Sequence, residues 1–94
     1  MTEASNDNHS TIAILLAQYG QRVVIPVEQV CRDYFSHLDP AKFVRKVNEG
    51  AIAIPMMRVE ASQKSAKGIH VADLAEWLDA RREAARKECR QLAA

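Results

Sequence analysis

The chain has 94 residues, with 13 Lys and Arg against 12 Asp and Glu, so its length allows one modest core and no separate substrate domain. Hydrophobic residues make up 48% but aromatics only 5%; the core is therefore expected to be thin and helped by a partner or second copy. No run of about eighteen apolar residues exists, and Met1 to Ser10 lack a basic start followed by an apolar stretch, so a cytoplasmic protein off the membrane is expected.

Cys31 and Cys89 have neither the density nor the spacing of a disulfide framework, and both are expected reduced. With His37 and His70 they are scattered without metal-ligand spacing, so no metal and no cofactor is expected. Neither cysteine sits in a local nucleophile signature, and the three glycines form no phosphate loop, which argues against an enzyme.

Charge is unevenly distributed. Before Ala41 the cations are Arg22 and Arg32, opposed by Glu3, Asp7, Glu28, Asp33 and Asp39. From Ala41 to His70 the sign reverses, with Lys42, Arg45, Lys46, Arg58, Lys64 and Lys67 opposed by Glu49 and Glu60. A basic segment inside a near-neutral protein suits a polyanion.

In chain order, residues 1–10 are polar without an apolar period and read as a disordered tail, leaving 11–94 as the domain. Ser10 or Thr11 can cap a first helix with Ile12, Leu15, Leu16 and Tyr19 on one face, closed by Gly20 in the left-handed conformation. Val23 to Ile25 reads as a brief strand. A second helix starts near Pro26 and runs to about Phe35, with Val27, Val30, Cys31 and Tyr34 on one face. After Ser36-His37-Leu38, the pair Asp39-Pro40 starts a third helix, buried through Phe43, Val44 and Val47 and stopped at Gly50.

Two short helices joined by a tight polar turn are the sequence form of a helix-turn-helix, whose second helix presents outward residues to base edges in the major groove. Lys42, Arg45 and Lys46 occupy that outward face. Arg45 suits a two-bond contact to guanine, Lys42 and Lys46 suit phosphates or bases, and Ser36 and His37 in the turn can reach the backbone.

Beyond Gly50, Ala51 to Val59 reads as a strand interrupted by Pro55, and Ile69 to Val71 as its return. Between them lies a flexible basic tip, completing a wing in which Arg58, Lys64 and Lys67 neutralise phosphates and Gln63 makes polar contacts. The last and longest helix, from about Ala72 to Leu92, covers the core with Leu74, Trp77 and Leu78. Its second half carries only a weak stripe of Ala80, Ala84, Ala85, Cys89 and Leu92 for a partner helix, so a homodimer through this helix is one expectation. Trp77 and Tyr34 are read as core residues. The fold class expected is α+β, mainly helical: a winged helix-turn-helix with a small β-hairpin wing and a long C-terminal helix.

Several blocks carry a family resemblance: Leu15-Leu16-Ala17-Gln18-Tyr19-Gly20, Val24-Ile25-Pro26-Val27-Glu28-Gln29-Val30-Cys31-Arg32-Asp33-Tyr34-Phe35, Ser62-Gln63-Lys64, Gly68-Ile69-His70-Val71-Ala72-Asp73-Leu74-Ala75, and Asp79-Ala80-Arg81-Arg82-Glu83-Ala84-Ala85-Arg86. In these the chain resembles the pyocin activator proteins of the PrtN type. The layout is also similar to the excisionase and MerR-type winged helix-turn-helix group. The resemblance implies a DNA-binding activator of bacteriocin or phage-tail-like genes that acts at repeated promoter-proximal boxes, typically after DNA damage, with duplex DNA and RNA polymerase as partners. Two other readings stand beside it: an excisionase-like architectural protein that bends DNA with the same fold and contacts, and an interaction module whose wing and long helix bind an acidic partner instead of nucleic acid.

Overall fold

The computed structural model describes residues 3–58 and 66–93. Its elements are α1 (Glu3–Gln18), β1 (Val24–Pro26), α2 (Val27–Tyr34), α3 (Pro40–Asn48), β2 (Met57–Arg58), β3 (Lys67–His70) and α4 (Val71–Ala93). The result is a mostly helical α+β fold with a small antiparallel sheet ordered β1-β3-β2. No helix among the described residues is long and apolar enough to cross a membrane.

The helices form where the apolar spacing places them. Leu15 of α1 and Tyr19 in the turn after it are buried with Ile12 and Leu16 packed against the core, and α2 buries Val27, Val30 and Cys31. α1 extends ahead of the expected cap at Ser10 or Thr11, taking in residues from Glu3 that composition assigned to a tail. No Pro or Gly interrupts this stretch, so nothing local stops the helix from propagating toward its N-terminus. At the other end Gly20 has φ +66°, the left-handed conformation in which glycine carries no Cβ penalty.

Pro26 sits just outside α2 as its cap residue, not inside the first turn, with φ −55° and ψ 141°. Its backbone is extended because it still belongs to β1, where it pairs with Gly68. β3 is the central strand, and Ile69 pairs with Ile25, both fully buried. Gly68 is required by crowding: a Cβ there would lie 2.6 Å from Val24 Cγ1 and 3.2 Å from the Ile25 carbonyl oxygen. The return strand ends one residue earlier than expected, and Val71 opens α4. Its N–H donates to the Val23 carbonyl at 2.7 Å, while the Ala72 N–H donates to His70 Nδ1 at 3.0 Å, so two free donors of the first turn are satisfied.

The long strand expected over Ala51 to Val59 is reduced to Met57 and Arg58. The N–H groups of Ala51 and Ile52 turn back to the Lys46 carbonyl at 2.9 and 3.2 Å, and that of Ile54 donates to Ile52 at 2.9 Å. Pro55 has no donor to give, so these residues close α3 and bring Ile54 into the core before any sheet pairing begins.

Phe35 joins the parts. Its ring centroid lies 4.7 Å from that of Phe43 on α3 and 4.9 Å from that of Trp77 on α4, tilted aromatic contacts that add to apolar burial. The reading of Trp77 and Tyr34 as structural holds: Tyr34 is half-buried and its hydroxyl donates to Gln18 Oε1 at 2.9 Å. α1 packs along the first half of α4, where Thr11 Oγ1 donates to Asp79 Oδ1 at 2.8 Å. From Ala80 to Ala93, α4 is exposed.

Candidate nucleic-acid interface

The site is built on α3. Asp39 accepts the Lys42 N–H at 2.8 Å, with Pro40 in the first turn, so cap and fixed φ start the helix together. Inside, Phe43 is fully buried, with Val44 and Val47 packed beside it. This fixes the rotation of the helix, and Ala41, Lys42, Arg45, Asn48 and Glu49 face outward. Lys46 is half-buried, at the flank of that face and not at its centre. At the far end Gly50 has φ +81°, its N–H donating to Val47 at 3.0 Å, which stops the helix without a side-chain penalty.

The turn before α3 is held from beneath. The Cys31 thiol lies 3.2 Å from the Leu38 carbonyl oxygen and 3.6 Å from that of Phe35, and the Leu38 N–H donates to Phe35 at 2.9 Å. Burial, and secondarily the nearby Asp39 carboxylate, push the thiol pKa up, so Cys31 stays a neutral thiol that anchors the turn. Ser36 and His37 are left exposed on the outside of it.

β2 and β3 bring a second pair of cations to the end of α3. Arg58 and Lys67 are direct cross-strand partners, so their side chains leave the same face of the sheet. Both line an open groove of about 380 Å³ with Val47, Asn48 and Met57. Arg58 is exposed and Lys67 half-buried. Two like charges opposite each other disfavour the hairpin unless an anion lies between them. Among the described residues, the ion pairs are Arg32 with Asp33 and Arg90 with Glu83; Lys42, Arg45, Lys46, Arg58 and Lys67 enter none.

Of the nine expected site residues, the fold thus gathers Lys42, Arg45, Lys46, Arg58 and Lys67 around α3 and one groove, with Ser36 and His37 at the leading turn. Gln63 and Lys64 lie outside the described residues. Asn48 was missed. It sits on the outward face one turn after Arg45 and in the groove with Arg58, and an asparagine in such a place suits two hydrogen bonds to adenine. Its three-residue spacing from Arg45 carries the signal in the sequence.

The family model described as pyocin activator protein PrtN matches residues 11–85. No curated protein and no solved structure matches the chain.

Proposed function

This chain belongs to the pyocin activator protein PrtN family, and from that premise we propose that it is a sequence-specific duplex DNA-binding activator of bacteriocin genes. The observation that carries the reading is the face of α3: Lys42 and Arg45 exposed, free of ion pairs among the described residues, and fixed in direction by the burial of Phe43. The element order and the β1-β3-β2 sheet support a winged helix-turn-helix, with α3 as the recognition helix and the β2–β3 hairpin as the wing.

In this reading α3 enters the major groove, Arg45 and Asn48 read base edges, and Lys42 and Lys46 hold phosphates beside them. Arg58 and Lys67 neutralise phosphates of the adjoining groove, which also relieves their mutual repulsion. Ser36 and His37 touch the backbone at the leading turn, while Gln63 and Lys64 act with the wing. RNA polymerase is the partner that activation requires.

Binding of the purified chain to duplex DNA from upstream of its genomic neighbours, beside a scrambled duplex and across a salt series, tests the reading. The expected result is a preference of roughly a thousandfold and an affinity that falls steeply with salt. Absence of binding to either duplex overturns it. Specific binding without a rise in RNA synthesis by added polymerase would assign the protein to DNA architecture instead of activation.

A further inference from the structure

One side chain on the outward face of α3 works against a polyanion. Glu49 is exposed at the end of that face. It is the cap residue that closes the helix, its N–H donating to the Arg45 carbonyl at 2.9 Å, so it stands where the helix dipole is negative and a carboxylate costs stability. Arg45 and Lys46 precede it at the four- and three-residue spacings that allow an ion pair along a helix. The ion pairs among the described residues nevertheless leave Glu49 out, and neither the helix nor a neighbouring cation accounts for it.

We infer that Glu49 is a specificity-determining residue whose carboxylate accepts a hydrogen bond from the N4 amino group of a cytosine, an inference that rests on the reading of α3 as the recognition helix. The chemistry narrows the choice. An ionised carboxylate only accepts. In the major groove guanine and thymine offer acceptors, which repel it, and adenine sets its amino group beside the N7 acceptor; cytosine presents its amino donor with no acceptor on the same base. Position separates this contact from its neighbours. Glu49 leaves α3 roughly 100° around from Asn48, which turns toward the groove with Arg58. The two therefore address opposite sides of the major groove, and the cytosine lies in a base pair other than that of the adenine suited to Asn48. Lys42 lies two turns earlier on the same edge as Glu49 and takes a phosphate where Glu49 refuses one, so the DNA backbone on that side crosses the face at its start and leaves before its end.

The test starts from duplexes that the full chain selects out of a random library, which are then varied one base pair at a time. Among the fixed pairs, one C·G pair is expected whose preference belongs to Glu49. Glu49→Ala should relax that pair alone, from roughly tenfold to none. The same variant should bind random duplex roughly threefold more tightly, because a like charge is gone from the DNA face, and should unfold at no lower temperature. Glu49→Gln should move the position to adenine, whose N6 and N7 an amide meets together. The inference falls, with specific recognition intact, if Glu49→Ala relaxes no pair, relaxes the guanine suited to Arg45, or weakens every duplex alike. A lower unfolding temperature would show that the carboxylate is kept for folding and would overturn it too. Absence of any selected duplex would overturn this contact together with the reading beneath it.

Discussion

Two helices of this molecule are comparably rich in cations, and they differ in what lies behind the charge. α3 carries Lys42, Arg45 and Lys46 over a fully buried Phe43 and a capped start at Asp39. The distal half of α4 carries Arg81, Arg82, Arg86, Lys87 and Arg90 with no core beneath and one exposed pair, Arg90 with Glu83 at 3.4 Å. A bare count of cations would favour the distal half of α4 for a polyanion, although Glu83 and Glu88 offset two of its five. Direction favours α3, because base reading needs donors held at fixed angles, and only packing supplies that.

The sharpest way to break the comparison is to remove what stands behind α3. Phe43→Ala should cost about 3–5 kcal/mol in urea unfolding, enough to abolish specific binding in a domain of this size, and an unchanged midpoint would show that α3 is not held by its core face. Gly68→Ala comes next: the 2.6 Å approach to the Val24 side chain and the 3.2 Å approach to the Ile25 carbonyl oxygen must be relieved by displacing Val24 and easing the β1–β3 pairing, at about 1–3 kcal/mol, measured in the same way. Arg45→Ala should keep stability and lose about 1–3 kcal/mol of preference for the specific duplex. By contrast Arg58→Ala should weaken all duplexes alike and lower the salt slope by about one unit. Smallest of all, Arg86→Ala on the exposed distal half of α4 should change folding stability by less than about 0.5 kcal/mol.

A pH series sharpens the same contrast from the packed side. The Tyr19 hydroxyl donates to Asp33 at 2.6 Å, and burial, then that bond, hold its pKa above the ordinary tyrosine range. The neutral phenol is therefore favoured in the folded state. Its contribution is complete below the unfolded value of about 10 and is lost as pH rises toward the folded one. Tyr19→Phe should flatten the alkaline loss of stability, seen as a smaller fall in thermal midpoint between neutral and strongly alkaline solution.

The parts legible in the sequence were those fixed by short-range rules. Asp39-Pro40 announced α3, Gly20 and Gly50 announced the ends of their helices, and the spacing of Phe43, Val44 and Val47 gave the rotation that turns Lys42 and Arg45 outward. What was not legible depended on partners distant in sequence. The apolar run after Gly50 looks like a strand until Lys46 takes the N–H groups of Ala51 and Ile52, and β1 gains its place only through β3, many residues away. Lys46 shows the limit within a helix: it neighbours Arg45 in sequence, yet one step of rotation takes it from the centre of the face to its flank.

The two thiols give this protein a clock of its own. Cys89 is open to reagent and Cys31 is shut beneath the turn that precedes α3. An alkylating probe should mark the first at once and the second only during the moments when that turn lifts. The slower of the two labelling rates would therefore count openings of the segment that aims α3, in the native protein and without any substitution, and a bound duplex that grips α3 should slow that count.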